Sequence, residues 1–367
     1  MTRSSSRRGG GDAVEDRTGG LEAFLREMPK VELHVHLEGS LEPEHMFLLA
    51  ARNGVRLRHA TVGAAHVARG FTDLQSFLDE YYEGASVLRE EPDFYELTRA
   101  YLLRAHADRI RHVEVFFDPQ THTDRGVPFG DVVSGIHRAL VDARSELGIS
   151  SRLIMCLLRD RSLESAERTL DAALEHLDRI VGMGLDSAEI GHPPRDFVGV
   201  FARAREAGLR IVAHAGEEGP PAYISEALDL LGAERIDHGV RCLEDDDLVA
   251  RLVAERVPLT VCPLSNVRLR VFESMERHNL KKLLDRGLVA TVNSDDPAYF
   301  GGYLVENFVA VQRALGLDRD DVLTLALNAV EAAFVDDERR EGLRKELVCF
   351  AETWPDRARG LSAGGPT

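Results

Sequence analysis

Short apolar runs rich in Val, Ile and Leu alternate along most of this chain with longer segments in which apolar residues recur at helical spacing. Eight runs have the length of a strand: 31–37, 111–117, 151–158, 180–186, 209–215, 235–239, 258–262 and 289–294. Between them, segments such as 131–147, 163–177, 196–207 and 245–255 combine acidic starts with apolar positions three and four apart. Strand and helix alternating eight times predict an α/β fold, a (β/α)8 TIM barrel, in preference to an open doubly wound sheet. No GxGxxG follows the first run, so a dinucleotide-binding fold gains no support. The first connection, 38–110, is far longer than a barrel needs. Its helical patterns at 71–82 and 92–107 predict a helical insertion after the first strand, lying over the barrel mouth.

In such a barrel the C-terminal ends of the strands form one face, and that face carries the chemistry. Several apolar runs of this chain end on titratable residues. Val31 to Leu37 alternates so that His34 and His36 point to the same side. His214 closes the fifth run, His238 the sixth, and Asp295 with Asp296 follows the eighth. Three imidazoles and a carboxylate, His34, His36, His214 and Asp295, suit zinc or another borderline divalent ion. Such an ion lowers the pKa of a bound water from ~16 to ~7, which points to hydrolysis. Gly216 allows a sharp turn after His214, bringing Glu217 to the same cavity as a candidate proton donor. The bland alternative for Glu217 is a helix N-terminal carboxylate. His238 is the candidate for orienting the water and shuttling its proton. Asp296 cannot face the same way as Asp295 on an extended chain and is therefore free to bind substrate nitrogen. Asp237 is expected to face away from His238, His122 and His192 to supply either pocket polarity or loop hydrogen bonds, and Ser265 and Asn266 to order loops.

Composition narrows the partners. The 367 residues hold 45 Lys and Arg against 62 Asp and Glu, a formal charge of −17. So acidic a surface disfavours a nucleic acid polymer or an anionic membrane as partner and leaves a neutral small molecule. No apolar run reaches the ~20 residues of a membrane span, and Met1 to Gly20 lacks the apolar core of a signal peptide. The four cysteines form no CxxC pair and read as reduced thiols. A cytoplasmic enzyme is the expectation, with homo-oligomer formation left open. Residues 1–19 and 357–367 read as disordered tails flanking a single barrel over 20–356.

Taken together, Lys30-Val-Glu-Leu-His-Val-His-Leu-Glu-Gly-Ser40, His214-Ala-Gly-Glu217, Asp237-His-Gly239 and Ser294-Asp-Asp-Pro297 resemble the adenosine and AMP deaminase family of metal-dependent hydrolases. The motifs stand in family order, and the resemblance covers about residues 21–335. Further segments are similar to the adenine deaminase branch found in bacteria and fungi. These are Phe116-Phe-Asp-Pro-Gln-Thr-His-Thr-Asp-Arg-Gly126, Glu189-Ile-Gly-His-Pro-Pro194, Glu217-Glu-Gly-Pro-Pro221, Cys262-Pro-Leu-Ser-Asn266 and Asp295-Asp-Pro-Ala-Tyr-Phe-Gly-Gly302. The resemblance implies one Zn2+ per subunit on His34, His36, His214 and Asp295. It also implies Glu217 as proton donor to the purine ring, His238 serving the attacking water and Asp296 binding the base. Two positions depart from the pattern: Ala188 stands where Ser is expected, and Arg159-Asp-Arg161 lacks an expected His.

The implied reaction is hydrolytic deamination of a 6-aminopurine, adenine to hypoxanthine and ammonia, as in purine salvage. Adenosine or an N6-substituted adenine are alternative substrates of the same mechanism. The loops 118–126 and 190–194 are expected to fill the space that a ribose at N9 would need. A catalytically silent purine-binding barrel would be marked by loss of a catalytic residue, and the whole set is present. Amidohydrolases that act on cyclic amides often carry a carboxylated Lys at the end of strand four, which this chain lacks. The His36-Leu37-Glu38 triplet matches half of the HxE…PCxxC signature of another zinc deaminase class. No PCxxC completes it.

Overall fold

The computed structural model describes residues 12–71 and 74–355, with the side chains of 12–19 excluded. Its eight strands are β1 (Lys30–His36), β2 (Ile110–Phe117), β3 (Ser150–Leu158), β4 (Gly182–Asp186), β5 (Arg210–Ala215), β6 (Arg235–His238), β7 (Pro258–Val261) and β8 (Val289–Val292). Each coincides with an expected run. They pair in parallel in the order β1 to β8. Closure comes from a bridge between Val35 and Asp295, where His36 N donates to Asp295 O at 2.9 Å and Asp295 N to His34 O at 3.1 Å. Asn293 Oδ1 extends the seam by accepting from Leu33 N at 2.9 Å. The sequence is therefore a (β/α)8 barrel. The eighth strand is shorter than expected because the chain leaves the ladder at Asn293 and turns at Asp295, whose φ is +65°.

The expected helices are present with small shifts. The 131–147 segment is a helix at Phe129–Glu146, and 245–255 is one at Asp246–Glu255, capped by Asp245. The 163–177 segment ends in a 3-10 turn at Leu174–His176, and 196–207 begins with one at Pro194–Phe197. A first helix, α1 (Asp12–Glu27), starts inside the stretch read as a tail. Its last turns are anchored by buried Phe24, Leu25 and Met28, and extending a formed helix is far easier than nucleating one. The rest of both tails, 1–11 and 356–367, lies outside the described residues.

After β1 come four helices, α2 (Pro43–Asn53), α3 (Val62–Ala68), α4 (Leu74–Ala85) and α5 (Glu91–Ala107). This is the expected insertion. The α4 helix buries Phe77, Leu78 and Tyr81. With Phe71, Leu269, Tyr299 and Phe300 they make an apolar cluster apart from the main core. Gly84 lets α4 approach, since a Cβ there would stand 2.2 Å from the Tyr299 hydroxyl. An insertion that packs its own aromatic cluster at the strand ends is both cap and wall.

At the opposite end the barrel interior is ionic. Arg235 and Glu114 are fully buried and pair at 2.7 Å, with the Arg235 guanidinium 4.6 Å from the Phe334 ring centre. Burial alone would raise the Glu114 carboxyl, yet Arg235 and His112 beside it bring it down to about 2. Removing either partner would strand a buried charge, at a cost of ~3–5 kcal/mol.

Lys30, at the start of β1, is also buried, and its Nζ donates to the carbonyls of Met28 at 2.7 Å and Asp108 at 3.1 Å. Burial pushes it from 10.5 down to about 7, despite Asp108 and Glu27 nearby. A depressed amine makes the unfolded chain bind more protons between those two values, so Lys30 makes stability rise with pH across that window. Lys30→Met is expected to flatten this rise between pH 7 and 9, measured as the urea midpoint at each pH. An unchanged slope would show that Lys30 does not titrate in the folded state.

Candidate active site

The strand ends bring the predicted ligands together. Nitrogens of His34, His36 and His214 and a carboxylate oxygen of Asp295 all lie within 4.8 Å of one another, and all four residues are buried. His36 Nε2 is 3.2 Å from His214 Nε2, and His34 Nε2 is 3.2 Å from Asp295 Oδ1. Two ring nitrogens this close repel unless a proton or a cation lies between them. Burial, followed by the neighbouring His34 and His238, pushes His214 well below the usual histidine range, which leaves a neutral imidazole with a lone pair to give. The donor set fits a divalent metal ion.

The reverse edges of these rings are held from below. His34 Nδ1 is 3.0 Å from Thr260 Oγ1, whose hydroxyl donates to Asp237 Oδ1 at 2.7 Å. Thr260 therefore accepts from His34 Nδ1–H and fixes the tautomer that leaves Nε2 free. The Asp237 carboxylate also stands 3.7 Å from His214 Nδ1. As expected, Asp237 does not pair with His238; its inward position beneath two ligands was not foreseen. Thr260→Val deletes only the hydroxyl and is expected to weaken affinity for the divalent ion ~10–100-fold, measured by competition with a chromophoric chelator. Unaltered affinity would remove Thr260 from the support of His34.

Above the ligand set sit Glu217 and His238. Gly216, at φ +74°, makes the expected turn. The carboxylate of Glu189 locks that turn by accepting the backbone N–H groups of Gly216, Glu217, Glu218 and Gly219 at 2.8–3.3 Å. The next helix begins only at Pro221, so Glu217 is not a helix N-terminal carboxylate. Asn266 Nδ2 donates to Glu217 Oε1 at 3.1 Å and lies 3.4 Å from His238 Nδ1. Asn266 thus touches both of these candidate groups, beyond the loop role expected of it. Burial, then Asp295 and Glu189, hold the Glu217 carboxyl well above the usual range. His238 Nε2 is 3.6 Å from Glu217 Oε2 and 3.8 Å from Asp295 Oδ2, and burial pushes this imidazole down to about 3. A carboxyl raised by burial and an imidazole lowered by burial stand side by side.

Asp296 reaches the same pocket by a different route from the one expected. The chain is not extended here: the left-handed Asp295 lets both carboxyl groups line one cavity. Gly39 makes room, because a Cβ there would fall 1.9 Å from Asp296 Oδ1. That oxygen is buried and has no hydrogen-bond partner among the described residues. Burial, then Asp295, raise the Asp296 carboxyl well above its usual range.

The pocket is walled by Leu74, Phe77, Leu78, Tyr81 and Tyr82 of the insertion and by Asp118, Asp186, Ser187 and Leu269. Of the two loops expected to bound it, 118–126 contributes Asp118 alone and 190–194 contributes nothing. The 190–194 loop turns outward at Ile190 and Gly191, which are exposed, while Ser187 takes the position at the wall. Glu38 accepts from His122 at 2.7 Å and from Asp118 N at 3.2 Å. It thereby ties the first and second strand ends together, and of its two alternatives His122 takes the loop hydrogen bond. His192 offers its carbonyl to Arg159 Nε at 2.8 Å. All four cysteines are free thiols, three of them buried.

Comparison with known proteins agrees with this arrangement. The adenosine deaminase family profile matches residues 29–349. An adenine deaminase of Geotalea uraniireducens is 57% identical over 90% of this chain and 93% of its own length. One from Streptomyces coelicolor is 58% identical over 90% and 96%. Among solved structures, an adenine deaminase from Arthrobacter aurescens superposes with a TM-score of 0.87 at 50% identity, covering 89% of this chain and 99% of that one. An amidohydrolase from Burkholderia ambifaria, solved with bound Zn, gives 0.84 at 28% identity over 91% and 94%.

Proposed function

The chain belongs to the adenosine deaminase family, and from that premise we propose that it hydrolyses adenine to hypoxanthine and ammonia. The observation that carries this reading is the convergence on one pocket of four candidate metal donors, a Glu217 carboxyl raised by burial, a His238 imidazole lowered by burial and an Asp296 oxygen without a partner among the described residues. The names of its relatives, adenine deaminases at 53–58% identity, support the choice of base.

His34, His36, His214 and Asp295 would hold a zinc ion, which would supply the Lewis acidity that makes water nucleophilic near neutral pH. Around it the chain's own groups divide the work. Glu217 delivers its proton to ring nitrogen N1, which breaks aromaticity and makes C6 electrophilic. His238 receives the proton of the attacking water. Asp296 holds the imidazole-ring edge, placing C6 against the ligand set. Collapse of the tetrahedral carbon then expels ammonia, as the His238 proton passes to the amino nitrogen and the hydroxyl proton returns to Glu217. The pocket of Leu74, Phe77, Leu78 and Leu269 excludes bulk water and strengthens each of these interactions.

Reduced thiols and an uncharged substrate suit a cytoplasmic purine-salvage enzyme. The test is the ultraviolet spectrum of purified protein incubated separately with adenine, adenosine and N6-methyladenine. Conversion of adenine at least ~100-fold more efficiently than adenosine is expected, given a pocket that reads a ring N–H. Faster turnover of adenosine would overturn the choice of substrate, and no conversion of any of the three would overturn the reaction.

A further inference from the structure

Asp118, just beyond β2, and Asp186, at the end of β4, have no part in the chemistry above, yet both are buried in the pocket wall. They face the edge of His36 opposite its metal-directed nitrogen. Its Nδ1 lies 3.8 Å from Asp118 Oδ1 and 3.7 Å from Asp186 Oδ2. Tyr81 of α4 donates to Asp118 Oδ2 at 2.8 Å, and Tyr82 OH lies 3.5 Å from Ser187 Oγ. The insertion is thus latched onto this acidic pair.

The Oδ1 atoms of Asp118 and Asp186 are both buried without a hydrogen-bond partner among the described residues. Buried acceptors are rarely left so, because the lost hydration is not replaced. A purine with C6 at the ligand set, N1 at Glu217 and N7 toward Asp296 turns its N3–N9 edge away from the metal. The free base carries an N–H on that edge, and a nucleoside carries a sugar.

We propose that Asp118 and Asp186 are the specificity-determining residues of this pocket. One of their orphan oxygens accepts the N9–H of the free base, and the pair, braced by Tyr81, occupies the room a ribose would need. The inference rests on the deaminase reading and assigns free-base selection to two strand-end carboxyl groups from different parts of the chain.

The test compares kcat/KM for adenine and 9-methyladenine in the wild-type metalloenzyme, Asp118→Ala and Asp186→Ala, with metal content measured for each. The methyl group removes the N–H while adding little bulk. A site built around that hydrogen bond prefers adenine by ~10⁴ or more in the wild type. The ratio is expected to fall at least ~10-fold in the variant that removes the accepting oxygen, because adenine alone loses a contact. A lesion that merely disturbs His36 or folding slows both substrates together and leaves the ratio alone. A wild-type ratio near one, or a wild-type ratio that persists in both variants, would overturn the inference. So would a second tightly held metal ion lost with Asp118→Ala, which would assign the orphan oxygens to a cation. If the wild type consumes neither substrate, the deaminase reading itself has failed.

Discussion

His214→Ala is expected to yield a folded barrel without its metal ion and without nearly all of its activity. The imidazole it removes meets His36 at 3.2 Å, within a set whose four donor atoms come from β1, β5 and the turn after β8. With three donors left, the remaining His36 nitrogen faces an empty space, and Asp237, 3.7 Å below His214, keeps only its link through Thr260 to His34. The alanine leaves the backbone in place, including the His214 carbonyl that accepts from Arg159 at 2.8 Å. Elemental analysis should find about one divalent ion per chain in the wild type and far less in the variant. Circular dichroism should show the same fold in both. Chelation of the wild type should reproduce the loss, and full activity in metal-free protein would refute the metal assignment.

Glu217→Gln separates proton delivery from everything else that Glu217 does. Glutamine keeps the length, and its carbonyl still accepts from Asn266 as Glu217 Oε1 does at 3.1 Å. The turn is held by Glu189, four backbone N–H groups to one carboxylate, and does not depend on the side chain at 217. The variant should therefore keep its metal. It should lose on the order of 10²–10⁴ in kcat, the usual worth of general acid–base catalysis. Activity within a few-fold of wild type, with metal retained, would place the proton donor elsewhere.

The barrel was legible because its strands are buried on both faces. Parallel strands under helices read as short unbroken apolar runs, and all seven residues of β1 are buried, histidines included. The cluster of His34, His36, His214 and Asp295 was legible for the same reason, since His and Asp at the ends of such runs have no place in a core without a partner. What remained hidden depends on contacts between strands or on backbone twist. Thr260 sits inside an ordinary strand, and its bond to His34 joins residues 226 positions apart. Asp118 and Asp186 become neighbours only when β2, β3 and β4 are laid side by side. The common aim of Asp295 and Asp296 follows from a left-handed φ of +65° that residue types alone do not announce.

That backbone has a consequence for any effort to make the protein hardier. His238 and Asp295 carry reactive side chains on left-handed backbone, at φ +64° and +65°. Non-glycine residues held in that region cost ~1–3 kcal/mol each, and glycine would relieve the cost at either position. A screen that rewards heat resistance alone would be drawn to glycine at the two places where it abolishes the chemistry. The selection has to be coupled to turnover, because at these positions durability and reactivity are opposed within single residues.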